Sequence, residues 1–364
     1  MNPEIVATSK LNQTIFHSHR KIRQTNRPNM KKRIVSLLKT QFPAIVMLAA
    51  LHGGVFAAEL DEKNGRLLDF IQKMEERHNF NGERLKRLFK QVEIRPDIIA
   101  AISKPAEAKP WYQYRPIFLT ERRIEGGVAF WNRHAETLAR AEKEFGIPPE
   151  IIVAILGVET RYGQYTGKYR VLDALSTLAF QYPPRSRFFT SELEHYLLMT
   201  REEQIDPLSL KGSYAGAMGI PQFISSSYRS YAVDFDGDGH RNLWDDPVDA
   251  IGSVANYFKR HGWKEGEPIA VQTHVSGNGY QALVKKGIKP KTPLNQFSSY
   301  GVKVPEQLDP AQPAALVELE TEGIPEFWIG LHNFYVITRY NHSPLYAMAV
   351  YQLSNEIRKR KEEG

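Results

Sequence analysis

One carboxylate stands at the end of a long apolar stretch, "IPPEIIVAILGVETRYG", which runs from Ile147 to Gly163 and reaches Glu159 near its end. Its apolar spacing predicts a buried helix with Glu159 in the C-terminal part. Burial disfavours the charged form of a carboxyl, and the negative end of the helix dipole acts in the same direction, so both raise its pKa. A carboxyl that is protonated at neutral pH can donate a proton to a leaving glycosidic oxygen. On this segment alone, a structural glutamate paired with Arg161 or another arginine is an equal alternative.

A second segment, "SYAGAMGIPQFISSSY", runs from Ser213 to Tyr228 and combines small residues with polar side chains. Glycines permit close approach of the backbone to a ligand, while Gln222 and the serines donate and accept hydrogen bonds. This composition suits a groove for an uncharged polyol. The alternative is a tightly packed turn that precedes a helix.

The segment "DFDGDGHRNLWDDPVD" indicates a calcium loop. Asp234, Asp236 and Asp238 occupy the first, third and fifth positions of an EF-hand loop, a glycine follows, and the backbone carbonyl of His240 would be the next ligand. Asp245 stands where the usual last glutamate would be. A solvated surface loop of acids is the alternative.

The elements that position these residues are mostly helices. A helical pattern extends from Leu60 to Phe89, residues 103–117 are predicted to be a loop or extended segment, and Gly146 and Pro148 separate two further helical patterns. The predicted helices after residue 89 are Thr120–Phe145, one that begins at Pro148-Pro149, Val171–Phe180, Phe188–Glu203, Ser225–Tyr231, Val248–His261 and Met348–Lys361. Between them, residues 265–325 are predicted to be a small α/β insert, and residues 326–337 a strand and turn.

Charge and composition restrict the class of partner. The chain of 364 residues has a net charge of +7, but residues 1–58 hold nine Lys or Arg against one acid, which leaves a net charge of −1 on the remainder. Nucleic-acid binding by the folded part therefore loses its main support, which was the net positive charge.

The basic N-terminal segment resembles an export signal. Lys31, Lys32 and Arg33 follow Met30, and a mostly apolar stretch from Phe42 to Phe56 precedes Ala58. We interpret residues 30–58 as a signal peptide, residues 1–29 as an upstream extension, and a membrane anchor as the alternative. The chain has no cysteine, so neither disulfides nor a cysteine-linked lipid anchor is expected, and the predicted location is the periplasm.

Together, "GVETRYG" and "SYAGAMGIPQF" strongly resemble the lytic murein transglycosylases of the B type, glycoside hydrolase family 103. The resemblance continues through the acidic loop and through "NFYVITRYNHSPLYAMAVYQLS", and it covers roughly residues 60–358. It implies a mainly α (α+β) fold that has a lysozyme-like helical core, an additional α-helical domain and a small β-containing domain. The expected division is 59–145 for an N-terminal helical segment, 146–264 for the catalytic core, 265–325 for the small α/β domain, and 326–364 for a segment that packs back on the core.

The resemblance also implies roles for individual residues. Glu159 matches the family's single catalytic acid. The positions that match the sugar groove are Ser213, Gln222, Tyr257, Tyr340, Asn341 and Tyr346, and weaker matches are Tyr335, Arg185 and Arg187. The two arginines would meet acidic peptide stems, although a solvated helix start is the favoured alternative. In the family the calcium loop is longer, so its last acid maps to Asp249, which leaves Asp245, Asp246 and Asp249 open as the last ligand.

The implied reaction uses one carboxyl. Glu159 would protonate the oxygen between MurNAc and GlcNAc, the substrate's 2-acetamido group would stabilise the developing cation, and Glu159 would then deprotonate the C6 hydroxyl to give a 1,6-anhydro product. Most retaining and inverting glycosidases use two carboxyls instead. A hydrolytic muramidase of lysozyme-like fold and a non-catalytic peptidoglycan-binding scaffold are the two competing interpretations. The expected partner is the glycan strand of peptidoglycan, and other cell-wall enzymes are further expected partners. The protein is expected to be a monomer that binds neither an organic cofactor nor nucleic acid.

Overall fold

The computed structural model describes residues 58–59, 64–103 and 109–364. The predicted upstream extension and all but the last residue of the predicted signal peptide lie outside these residues. Within the described part of the chain, no helix is long and apolar enough to cross a bilayer.

The described chain is mainly helical, as predicted. Its α-helices are α1 (Gly65–His78), α2 (Gly82–Phe89), α3 (Pro96–Ile102), α4 (Trp111–Phe118), α5 (Glu121–Arg133), α6 (Ala135–Phe145), α7 (Pro149–Thr160), α8 (Val171–Gln181), α9 (Ser186–Glu202), α10 (Ser225–Tyr231), α11 (Pro247–Arg260), α12 (Gln281–Val284), α13 (His332–Tyr340) and α14 (Pro344–Glu363). Two 3₁₀ segments, Pro183–Arg185 and Leu294–Tyr300, complete the helical elements of the described residues.

The strands form small antiparallel sheets. They are β1 (Ala58–Glu59), β2 (Glu93–Ile94), β3 (Tyr169–Arg170), β4 (Lys211–Gly212), β5 (Ala270–Thr273), β6 (Thr292–Pro293), β7 (Pro313–Leu319) and β8 (Glu326–Gly330). Strands β1 and β2 pair with each other, as do β3 and β4, and the other four form a sheet of order β5-β8-β7-β6. In its central pair, Val317 lies opposite Trp328.

Two predicted helical patterns are each broken in the structure. Asn79 adopts a left-handed conformation (φ 55°) and ends α1, and the Asn81 side chain caps α2. His134 (φ −115°, ψ 28°) separates α5 from α6 within the predicted Thr120–Phe145 helix. The apolar spacing continues across both breaks, so periodicity alone does not reveal them. The predicted end at Gly146, which is left-handed (φ 71°), is confirmed.

The prediction of a loop or extended segment over 103–117 is wrong for its second half, because α4 occupies Trp111–Phe118. Pro110 stands at the N-cap, where its missing N–H costs nothing. Trp111, Tyr114 and Phe118 then bury one face of the helix. That spacing is helical, but the three prolines in residues 103–117 obscured it.

The C-terminal region is more helical than predicted. The prediction of a strand over the start of 326–337 is confirmed by β8, but the turn predicted after it is wrong, because α13 begins at His332. Helix α14 begins at Pro344, four residues before the predicted start, with the Ser343 side chain accepting from Tyr346 N as its cap.

Helix α7 lies at the centre of the main core. All of its residues except Glu150 are buried, as expected of a helix that is apolar on every side. Helices α5, α6, α11 and α14 pack against it. The sheet of β5 to β8 contributes to a second hydrophobic cluster that includes Leu294, Phe297 and Ile329, so the region after residue 264 has apolar contacts of its own.

Candidate active site

The end of α7 is fixed by its backbone and by one large side chain. Arg161 (φ 52°) and Tyr162 (φ 61°) are both left-handed and terminate the helix directly after Thr160. The Tyr162 ring then folds back against Gly157, where a Cβ atom would lie 2.6 Å from the Tyr162 hydroxyl oxygen. The glycine in "GVETRYG" is therefore required by this close approach.

A buried arginine supports the same turn. Arg123 on α5 donates from Nε to the Gly157 carbonyl oxygen at 3.0 Å, and the Tyr162 hydroxyl donates to the Arg123 carbonyl oxygen at 2.7 Å. Burial, and secondly the nearby charge of Arg161, lowers the pKa of Arg123 to about 10. These bonds hold the residues on either side of Glu159 in one arrangement.

Glu159 itself is buried, with 8% of its surface exposed. The Tyr346 hydroxyl, from the first turn of α14, donates to Glu159 Oε1 at 2.7 Å. Burial, and secondly the charge of Glu159, raises the pKa of Tyr346 well above its usual value. The tyrosine therefore stays a protonated donor at neutral pH, and it fixes the orientation of the carboxyl across 187 residues of sequence.

A row of aromatic rings extends from Tyr346. Its ring is nearly parallel to that of Tyr340, with centroids 6.4 Å apart, and Tyr340 packs edge-on against Tyr257 at 4.9 Å. The Tyr257 ring stacks on His261 at 4.0 Å, and its hydroxyl donates to the Arg339 carbonyl oxygen at 2.6 Å. The structure thus brings three of the predicted groove tyrosines together beside Glu159.

The loop that carries Ser213 and Gln222 is bonded both to the end of α7 and to a tyrosine of this row. Thr160 Oγ1 donates to the Ile220 carbonyl oxygen at 2.8 Å, and the Tyr340 hydroxyl donates to the Pro221 carbonyl oxygen at 2.5 Å. Residues 220–222 consequently lie beside the end of α7.

Within that loop, the two predicted polar residues have structural bonds as well. Gln222 is left-handed (φ 52°), an uncommon conformation for a residue other than glycine, and its Nε2 donates to the carbonyl oxygens of Thr166 and Gly219. Ser213 Oγ accepts from Ala217 N at 3.0 Å. These bonds shape the loop before any ligand binds.

Asn341 follows Tyr340 directly and is 1% exposed. Its Oδ1 accepts from Ser343 N at 3.2 Å, whereas Nδ2 has no hydrogen-bond partner within the described chain. A buried donor without a partner costs free energy, so a hydrogen-bond acceptor of a substrate would stabilise the Asn341 side chain.

The weaker matches are on or beside α9 and α13. Arg185 is half-buried, and its guanidinium lies over the Phe188 ring at 4.4 Å from the centroid. Arg187 is exposed near the start of α9, and Tyr335 is half-buried on α13.

The acidic loop folds around its first aspartate. Asp234 accepts from the backbone N–H groups of Gly237, Asp238 and Gly239 at 2.7 to 3.1 Å, while Asp238 Oδ1 accepts from His240 N at 2.8 Å. Carboxylate oxygens of Asp234, Asp236 and Asp249 lie within 4.8 Å of one another. Among the described residues, the metal-type cluster therefore includes Asp249 rather than Asp245 or Asp246.

The donor set fits a hard cation. Asp249 is buried, and its two oxygens accept from Phe235 N at 2.6 Å and from Asn242 N at 2.7 Å. Burial, and more weakly the neighbouring acids Asp246 and Asp236, raises the pKa of Asp249. The two hydrogen bonds lower that pKa, but their effect is smaller. A buried carboxyl grouped with two exposed ones would be stabilised by Ca²⁺, which prefers oxygen ligands.

Comparison with known proteins identifies the family. The family model described as "Transglycosylase SLT domain" matches residues 63–355. The chain is 47% identical over 315 residues to membrane-bound lytic murein transglycosylase B of Escherichia coli (strain K12), with 84% of each chain covered. The chain belongs to the lytic transglycosylases. The predicted family and enzyme class are confirmed.

Solved structures agree with this assignment. Soluble lytic transglycosylase SltB1 from Pseudomonas aeruginosa is 53% identical, with a TM-score of 0.78 over 82% of this chain and 99% of that one. The Escherichia coli lytic transglycosylase Slt35, in a complex with calcium, is 45% identical, with a TM-score of 0.76 over 85% of this chain and 98% of that one. The predicted lysozyme-like core of this lytic transglycosylase is therefore confirmed, and the family favours transglycosylation over the hydrolase and scaffold alternatives.

Sequence reasoning missed several residues that shape the site of this lytic transglycosylase. Thr160 links α7 to the Ile220 loop, and Tyr162 and Arg123 hold the turn after Glu159. Tyr114 on α4 is buried close enough to Tyr346 to contribute to its raised pKa, after burial, Glu159 and Tyr340. For Tyr114 the signal was its helical spacing from Trp111.

Proposed function

We propose that this lytic transglycosylase cleaves the β-1,4 bond between MurNAc and GlcNAc in peptidoglycan, with Glu159 as general acid and then general base. The observation that carries the proposal is the buried Glu159 carboxyl held by the Tyr346 hydroxyl at 2.7 Å. The printed name of the Escherichia coli relative, a murein transglycosylase, supports peptidoglycan as the substrate.

The environment of the other buried carboxyls supports a mechanism with one acid. Among the described residues, the remaining buried acids are Asp173, Glu192 and Asp249. Asp173 pairs with Arg170, Glu192 accepts from Ser226, and Asp249 belongs to the metal-type cluster. Each thus has bonds of its own, away from the Tyr346 hydroxyl.

In the proposed reaction, Glu159 gives its proton to the glycosidic oxygen while the bond from that oxygen to MurNAc C1 breaks. The substrate's acetamido carbonyl oxygen stabilises C1 in an oxazolinium-like intermediate. The Glu159 carboxylate then takes the proton of the MurNAc C6 hydroxyl, and O6 bonds to C1 as the acetamido oxygen leaves. Glu159 is protonated again, and no water is consumed.

The surrounding polar groups would orient the substrate. Asn341 Nδ2 is the buried donor without a partner and is suited to a substrate carbonyl oxygen. Ser213, Gln222 and Tyr257 are proposed to line the sugar groove, since the loop and the aromatic row that carry them adjoin the end of α7.

We also propose a structural calcium ion in the acidic loop, held by Asp234, Asp236 and Asp249, with Asp238 and the His240 carbonyl as further donors. The cluster of three carboxyls supports it, as does the calcium complex of Slt35. When bound, the ion would supply charge compensation and hold the loop to α11. The proposed location is the periplasm, because the predicted signal segment precedes an enzyme whose substrate lies outside the cytoplasmic membrane.

The test of the reaction is mass spectrometry of muropeptides released from purified peptidoglycan by residues 59–364, wild type beside Glu159→Gln. We expect products lighter than reducing muropeptides by one water with the wild type and none with the variant. Reducing-end products would indicate a hydrolase that uses a second carboxyl. Unchanged product from the variant would refute the role of Glu159.

A further inference from the structure

A cavity with a volume of about 820 Å³ lies outside the Glu159 site. Its wall is formed by α4, β5, the turn between β7 and β8, β8 itself, and α14. The lining residues that carry the argument are Trp111, Tyr112, Arg115, Gln272, Trp328, Gln352 and Asn355. The volume lies in the range of ordinary small-ligand sites.

The lining has the chemistry of a saccharide site. Trp328 and Tyr112 are half-buried and offer aromatic surface for the C–H faces of a pyranose ring. Gln272, Gln352 and Asn355 supply amides, which both donate and accept and so match hydroxyl and acetamido groups.

The wall is held in place before any ligand binds. Tyr112 N donates to the Glu320 carbonyl oxygen at 3.1 Å and joins the start of α4 to the end of β7. Arg115 Nε donates to Gln352 Oε1 at 2.8 Å and joins α4 to α14. Trp328 Nε1 donates to Glu326 Oε2 at 3.3 Å. A preorganised wall reduces the entropy lost when a ligand binds.

One buried donor in this wall is unused. Trp111 is 1% exposed, and its indole N–H has no hydrogen-bond partner in the described part of the chain. A buried polar group without a partner is costly, and a ligand rich in acceptors can supply one.

We propose that this cavity binds the N-acetylhexosamine rings of a glycan strand and so holds the enzyme on its polymer. The inference rests on the proposed function for the substrate class, but not on the role of Glu159. Helix α14 carries Tyr346 as well as Gln352 and Asn355, so the two sites lie on one rigid element. Because 1.5 Å of helix separates successive residues, Gln352 lies about 9 Å along the axis from Tyr346. Two sites on one polymer raise apparent affinity through effective concentration.

The first experiment measures binding alone. The Glu159→Gln enzyme is sedimented with insoluble peptidoglycan, with and without Trp328→Ala or Gln272→Ala added. Gln272 is exposed, and its side chain makes no hydrogen bond in the described structure, whereas its backbone pairs with Trp328 in the sheet. Its substitution by alanine should therefore leave the fold unchanged. Gln296→Ala, an exposed glutamine in the 3₁₀ segment, is the matched control. We expect the cavity variants to bind the sedimented peptidoglycan roughly tenfold more weakly, and the control variant to bind as tightly as the parent protein. Equal binding by all proteins would overturn the proposal.

The second experiment separates this site from catalysis. Gln272→Ala in the otherwise wild-type enzyme should raise KM for intact sacculi several-fold and leave kcat/KM for a short soluble glycan fragment unchanged. Equal losses on both substrates would overturn the proposal, because they would indicate damage to the catalytic site. If the wild type releases no anhydro product while the sedimentation difference remains, the proposed reaction fails and the glycan site stands.

The third experiment identifies the ligand. A tetramer of N-acetylglucosamine should shift the Trp111 and Trp328 indole N–H signals in an NMR titration of the Glu159→Gln enzyme, and Gln272→Ala should weaken that response. If free stem peptide shifts these signals and the sugar tetramer does not, the cavity is a peptide site and the proposal is wrong.

Discussion

The hydrogen bond between Tyr346 and Glu159 predicts a specific kinetic phenotype for Tyr346→Phe. The substitution removes one hydroxyl and leaves the ring, which is buried at 0% exposure, in place. A hydrogen bond to a charged group contributes about 1.5–3 kcal/mol. If it acts fully in the transition state, in which Glu159 acquires negative charge, kcat/KM should fall about tenfold to about a hundredfold.

The pH dependence should change in a defined direction. The hydroxyl donates to Glu159 and therefore favours the carboxylate over the protonated acid. Without the Tyr346 hydroxyl, the protonated form of Glu159 persists to higher pH. The alkaline limb of the pH–rate profile should therefore shift to higher pH. The raised pKa of Tyr346, which comes from burial and then from Glu159, keeps the wild-type hydroxyl protonated across the assay range.

The assay is release of anhydro-muropeptides over a range of pH, and Tyr196→Phe is the matched control. Tyr196 is also fully buried, but its hydroxyl donates to the Pro207 carbonyl oxygen at 2.7 Å, so its variant should lose stability without moving the profile. Activity of Tyr346→Phe within twofold of the wild type, together with an inactive Glu159→Gln, would refute the reasoning.

Three further predictions follow from other contacts. Asp236→Ala should lower the melting temperature more in calcium than in chelator, whereas Asp245→Ala, an exposed acid outside the cluster, should not; equal shifts in both buffers would contradict the calcium site. Gly157→Ala should destabilise the enzyme by about 1–3 kcal/mol in urea unfolding, since its methyl would displace the Tyr162 ring; an unchanged midpoint would contradict that packing. Burial lowers the pKa of His261 in the folded protein. The neutral imidazole therefore contributes stability above the pKa of the unfolded state, and this stability is lost as pH falls through the lower pKa of the folded state. His261→Asn should make the free energy of unfolding less sensitive to pH below about 6.5, and an unchanged slope of that free energy against pH would count against the prediction.

The sequence predicted those parts of the fold that depend on local spacing. Ser225–Tyr231 is a helix with the predicted bounds, and α7 is buried as its apolar pattern required. The break at His134 and the helix at Trp111 were missed for opposite reasons. At His134 the apolar pattern continues through a backbone change, and at Trp111 the prolines hid a buried helical face.

Sequence patterns predicted less of the candidate site than of the fold. The position of Glu159 at a helix end follows from its own segment, but its partner Tyr346 is 187 residues away, and only the family resemblance pointed to it. The predicted last metal ligand shows the same limit. EF-hand spacing alone points to Asp245, the family resemblance pointed to Asp249, and the folded chain brings Asp249 close to Asp234 and Asp236.

The contact between Tyr346 and Glu159 depends on how α14 packs against the rest of the protein, which local sequence patterns do not reveal. This helix packs against α7, α5 and α4, and its C-terminal half forms ion pairs from Arg358 to Glu150 and from Arg360 to Glu121. Exposed pairs contribute little individually, so burial of the apolar face must hold α14 in place. Tyr346 reaches Glu159 only when that face is docked. The orientation of the Glu159 carboxyl therefore depends on the last helix of the chain. If Glu159 is the proposed acid, a change that loosens α14 should reduce activity before it unfolds the core.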